Sequence, residues 1–108
     1  MKTNYQFGEV FQLLNQVDFA SDQVEFRQVF ETANGGVALI ALKAGQKLET
    51  HTAPFEVMVN VCEGEIDFTM LDRVHNLKSG DFLLMGADVA HSVNAKVDSK
   101  LMLVKVKA

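Results

Sequence analysis

Turn-forming residues break this 108-residue chain at short intervals, and what lies between them is short, apolar and β-prone. Asn34-Gly35-Gly36 separates the run 24–31 from the run 37–43. An Asn-Gly step between apolar runs is a strong hairpin signal, because both residues tolerate the positive φ of tight turns. Ala44-Gly45, Glu63-Gly64, Leu71-Asp72-Arg73, Ser79-Gly80-Asp81, Gly86-Ala87-Asp88 and Val97-Asp98-Ser99 punctuate the rest. Residues 64–70 alternate most cleanly, with Ile66, Phe68 and Met70 on one face and Glu65, Asp67 and Thr69 on the other, wet face. Residues 81–85 and 101–107 read as further strands. Many short strands with regular turns specify an all-β antiparallel sandwich or barrel.

The length fits one domain spanning 1–108, with no repeat, linker or low-complexity tract. A hydrophobic fraction of 48% against 22% charged residues supports an ordinary core. Ten basic and fourteen acidic residues leave a net charge of −4, and the lysines do not cluster, which argues against nucleic acid or anionic membrane as a partner. Cys62 is the one cysteine, so neither a disulfide framework nor a cysteine zinc site is available within one chain. With no neighbouring base to activate it, an inert thiol is expected. No apolar run reaches the ~18 residues of a spanning helix, and the N-terminus lacks a basic-then-apolar leader pattern, so a cytoplasmic setting is the default expectation. Residues 1–23 form an N-terminal segment expected to cover the barrel. Phe7, Val10, Phe11, Leu14 and Val17 fit one amphipathic helical turn, and an irregular strand over a sheet edge fits as well.

The run 56–62 is apolar on both faces: Val57, Val59 and Val61 on one, Met58, Asn60 and Cys62 on the other. A strand apolar on both faces is covered on both faces. If Met58 and Asn60 point into a barrel, the valine face needs a partner sheet, and a homodimer packed sheet against sheet supplies one. The alternative is that the N-terminal segment folds over the valines.

Three histidines are present. His51 lies six positions after Gly45 and His91 eleven after Gly80, each following a glycine turn into a strand. These phrases resemble the two motifs of a small single-domain cupin, the RmlC-like or cupin 2 conserved barrel. Gly45, His51 and Gly64 fill slots of the first motif, with Pro54 where a proline often follows the paired histidines. Gly80 and His91 fit the second motif. The resemblance covers about 37–106 and implies a double-stranded β-helix, or jelly-roll barrel, with its site inside. It also implies a metal cage of three histidines and one glutamate. Here the second histidine slot holds Ala53, and the glutamate slot falls at Met58, or at Val57 if the gap is one shorter. Gly86, Asp88 and Ala95 replace the proline, glycine and asparagine of the second motif.

His51 and His91 are thus the candidate metal ligands for one divalent transition metal (Zn, Ni, Fe, Mn or Cu). Two imidazoles hold such an ion weakly, with water in the other positions. Glu56 shares the parity of Met58 but sits about 6.6–6.8 Å along the strand, too far to replace it. Glu49, with the parity of His51, is a candidate for a site shifted towards the barrel mouth. His51, Met58, Asn60 and His91 are the candidate ligand-binding residues: Met58 as a thioether lining an apolar pocket, Asn60 as an amide orienting a polar group. His75 matches no ligand slot and is expected half-buried or solvated; Lys105 and Lys107 read as ordinary surface charge. There is no nucleophile elbow, phosphate loop or dinucleotide fingerprint. The sequence therefore indicates a metal-capable barrel that binds a small molecule. The alternative is a metal-dependent enzyme of dioxygenase, isomerase or decarboxylase type acting on a small oxygenated metabolite.

Overall fold

The computed structural model describes residues 1–107, and these form nine strands with no α-helix among them. The strands are β1 (Glu25–Thr32), β2 (Gly35–Leu42), β3 (Lys47–His51), β4 (Phe55–Glu63), β5 (Glu65–Met70), β6 (Arg73–Lys78), β7 (Phe82–Met85), β8 (His91–Ala95) and β9 (Ser99–Lys107). All pairings are antiparallel, in a five-stranded sheet ordered β1-β2-β9-β4-β7 and a four-stranded sheet ordered β3-β8-β5-β6. After β2 the chain passes repeatedly from one sheet to the other, which is the winding of a jelly roll.

Gly35, Gly36 and Gly64 mark where the chain comes too close to its neighbours for a side chain. Gly35, opening β2 at φ +145°, carries no Cβ because one would overlap the Lys105 carbonyl. Gly64, at φ +97° between β4 and β5, lies against Ser99. The Ser99 hydroxyl is fully buried and accepts the Glu65 N–H at 3.0 Å, holding the chain as it changes sheets.

The core lies between the sheets and includes Ile40, Leu42, Val59, Val61, Ile66, Phe68 and Leu101. The valine face of β4 therefore points into the barrel, and Met58, Asn60 and Cys62 point out of it. This corrects the expected assignment of faces. The parity of side chains holds only within a continuous strand, and Thr52–Pro54 lie outside β3 and β4, so counting from His51 to Met58 crosses a break. Val57, Val59 and Val61 are then core residues, neither a dimer interface nor a floor for the N-terminal segment.

That segment covers a different area. It holds one 3-10 turn at Leu13–Asn15, and Phe7 and Val10 are exposed, so the amphipathic helical turn does not form a buried face. Val17 and Phe19 pack instead on Leu39, Ala41 and Met102, on the outer face of the five-stranded sheet. Lys2 adds a single bridge to Glu31 beside β1. No helix among the described residues is long and apolar enough to cross a membrane.

Candidate functional site

β3 and β8 bring His51 and His91 side by side. Leu48 pairs with Val93 and His51 with His91, so three steps on β3 match two on β8. A bulge of this kind re-aims the strand. It turns both Leu48 and His51 into the barrel, which unbroken alternation forbids. It also removes Glu49 from the parity of His51: the Glu49 side chain is exposed and lies 3.3 Å from Lys47 Nζ. Glu56, on the outer face of β4, is exposed as well.

The imidazole centroids are 4.1 Å apart with the rings tilted by 58°, and His91 stacks on Phe68 at 5.6 Å. Both rings are fixed by the same local device. His51 Nδ1 donates to the Glu49 carbonyl at 2.8 Å and His91 Nδ1 to the Val89 carbonyl at 2.9 Å, two residues back in each case. A carbonyl only accepts, so Nδ1 carries the proton, and in the neutral ring Nε2 keeps its lone pair. His91 is 7% exposed, whereas His51 is exposed. Burial pushes the His91 pKa below the ordinary imidazole value; the Val89 carbonyl opposes that shift and His51 adds to it.

The two histidines line a cavity of about 210 Å³ inside the barrel. Its other walls are almost wholly apolar, among them Ile40, Val57, Val59, Phe68, Leu101 and Leu103. Of its lining side chains only His51, His91 and Lys105 are polar. Met58 and Asn60 are not part of it. Met58 lies outside near Leu84, Val104 and Val106, and the Asn60 amide donates to the Met102 carbonyl at 3.1 Å, which satisfies it on the sheet. Their expected place inside the barrel is corrected along with the face of β4. Ala53 and Val57 stand in the cavity wall beside the histidines, so it is Val57, not Met58, that occupies the inward position. No cluster of three or more His, Cys, Asp or Glu side chains suited to a metal occurs among the described residues.

Lys105 is the residue that sequence reasoning passed over. It follows Leu101 and Leu103 on the inward parity of β9, between Gly36 and Val57 on the neighbouring strands. That alternation was the available signal. Lys107 is exposed, as expected, and His75 is half-buried opposite Phe68, outside the cavity. Cys62 is half-buried, and burial with the neighbouring Glu63 raises its pKa, which keeps it a thiol.

No protein-family model and no curated protein matches this chain. Solved structures do. A cupin superfamily protein from Desulfitobacterium hafniense superposes with a TM-score of 0.89 at 16% identity, covering 98% of this chain and 97% of its own. An RmlC-like cupin from Desulfovibrio desulfuricans gives 0.81 at 28% identity over 91% and 95% of the two chains. The chain folds as a cupin. A conserved protein of unknown function from Streptococcus pyogenes matches it too, with a TM-score of 0.89 at 24% identity over 100% of this chain and 96% of that chain. Of the residues at the second-histidine and glutamate slots, Ala53 and Val57 face the cavity, Met58 does not, and none of the three is a metal ligand of the cupin type.

Proposed function

We propose that this cupin binds a small organic molecule in the barrel cavity, with His51 and His91 as its paired polar anchor. The observation that carries the reading is the shared Nδ1 contact of the two rings, which orients both and leaves two Nε2 acceptors beside a cavity that is apolar apart from them and Lys105. Such a cavity excludes water while a few polar groups select orientation. At about 210 Å³ it is smaller than the pockets that take drug-sized ligands, so the guest is a compact metabolite.

The donor chemistry also suits one divalent ion of the Zn, Ni, Fe, Mn or Cu series. Neutral imidazoles whose second nitrogen is held by a carbonyl are the usual form of a histidine ligand. Among the described residues only two protein ligands come together here, against the three or four of tight sites. The barrel is therefore metal-capable rather than a full cage. When bound, such an ion supplies Lewis-acid polarisation of a ligand oxygen. The chain's own part is to orient both rings, keep His91 uncharged, and exclude water with Phe68, Val57 and Val59.

Elemental analysis of protein purified without chelators, followed by titration with Zn and Ni, tests this. Substoichiometric metal is expected on isolation, with added metal weakened at least tenfold by His51→Ala and by His91→Ala alike. Near one equivalent of a single metal on isolation gives precedence to the metal-dependent enzyme. Unaltered metal binding in both variants removes the histidine pair from the site.

The homodimer is proposed on a new surface. Met58, Phe82, Leu84, Val104 and Val106 form an apolar area on the outer face of the five-stranded sheet, beside the part that Val17 and Phe19 cover. β7, the edge strand, contributes Phe82 and Leu84 to it, which are 58% and 67% exposed. Two copies packed through this face about a two-fold axis bury what one chain leaves open.

A further inference from the structure

We propose that Lys105 is the anion-binding residue of the cavity, and that the ligand is a small carboxylate with an apolar body and a hydroxyl for the histidine pair. The inference rests on the reading of the cavity as a small-molecule site and specifies the chemistry of its occupant.

Among the described residues three lysines have an acid partner: Lys43, Lys47 and Lys96 meet Asp98, Glu49 and Asp67 at the surface. Lys105 differs from all three. Its side chain is half-buried on the cavity wall, flanked across the sheet by Gly36 and Val57, neither of which offers an oxygen-bearing side chain. Among the described residues no carboxylate lies within 4.0 Å of its ammonium group. An ammonium placed against apolar walls loses hydration that only an anion or water returns. In that low-dielectric setting a carboxylate gains a charge-assisted hydrogen bond stronger than any it makes in bulk water.

The remaining polar groups set a different requirement. With Nδ1 of each ring committed to a carbonyl, the neutral imidazoles present acceptors only, so they favour a ligand O–H and give a carboxylate nothing. One end of the ligand is therefore anionic and faces Lys105. Another part carries a hydroxyl for the histidines, and the body between them packs on Val59, Phe68 and Leu103.

The test uses matched acids and primary amides: 4-hydroxyphenylacetate with its amide, and 6-hydroxyhexanoate with its amide. Affinity is read by calorimetry or ligand-observed NMR on the full chain. In the wild-type protein at least one acid binds tenfold or more tighter than its amide. Lys105→Met reduces the acid to the level of the amide, and Lys105→Arg restores the preference. Equal binding of acid and amide, or a preference that survives Lys105→Met, overturns the role of Lys105 and leaves the cavity as a neutral-ligand site. Failure of all four probes to bind overturns the small-molecule reading itself.

Discussion

On β4, Val57, Val59 and Val61 point between the sheets and are at most 5% exposed, while Met58, Asn60 and Cys62 point outward and are half-buried. Both sets are largely apolar, yet their surroundings differ in kind. The inner set is β-branched, stiff at χ1, and packed against Ile66, Phe68 and Leu101 of both sheets. The outer set includes a flexible methionine and an amide satisfied by the Met102 carbonyl, with Leu84 and Phe82 beside it largely open. Apolar alternation thus shows that a strand has neighbours on two sides without showing which side is the core. The stiffness of the side chains and the continuity of the strand decide that.

The comparison breaks most sharply at Val59. Val59→Lys places an ammonium group where no partner exists, at a cost of about 3–5 kcal/mol, a large part of the stability of a domain this size. Urea denaturation should show a collapsed midpoint or no folded state. A variant that folds normally and merely changes mass would invert the two faces. Leu84→Lys, on the outer face, should change the folding free energy of the chain by no more than about 0.5 kcal/mol. It should convert a dimer to a monomer in sedimentation, and an unchanged mass removes the proposed interface.

Much of the barrel was legible because turn chemistry is local. Asn34, Gly64, Leu71-Asp72 and Ser79-Gly80 each fall between strands where the sequence places a turn, although Gly35 and Gly36 already belong to β2. The histidine pair was legible through motif spacing, which survives loss of the other ligands. The inward face of β4 was not, because Pro54 and its neighbours interrupt the parity count. The bulge after Leu48 was hidden for a related reason: no glycine or proline marks it, and it exists only as a mismatch between two strands. Lys105 was hidden by chemistry rather than geometry, since a lysine near a strand end is usually solvated.

The barrel interior also carries a pH-sensitive element. His91 has its pKa lowered chiefly by burial, with the Val89 carbonyl acting against the shift and His51 adding to it. The unfolded chain therefore binds this proton first as pH falls. The stability that depends on His91 is complete above about pH 6.5, is lost as pH drops from there to the lowered folded value, and then levels off. Thermal melts of chelator-treated protein between pH 5 and 8 should show a steeper decline for wild type than for His91→Gln. Parallel curves would mean that the buried ring imposes no proton-linked cost.

The smallest expected effect separates two kinds of exposed leucine. Leu71 is 71% exposed and Leu84 67%, so area alone makes them equivalent. Leu71, however, sits with Asp72 in the two-residue turn joining β5 to β6, at φ 51° and 59°, the left-handed conformation of a type I′ hairpin. A branched side chain in that region costs about 1–2 kcal/mol relative to the right-handed one, and asparagine relieves part of it. Leu71→Asn should raise stability by about 0.5 kcal/mol, read from the urea midpoint, and leave the mass untouched. If it dissociates the dimer as Leu84→Lys does, assembly answers to surface hydrophobicity at large rather than to the outer face of the sheet. If it gives neither change, the turn holds Leu71 without strain, and the exposed leucine there is a neutral consequence of the hairpin.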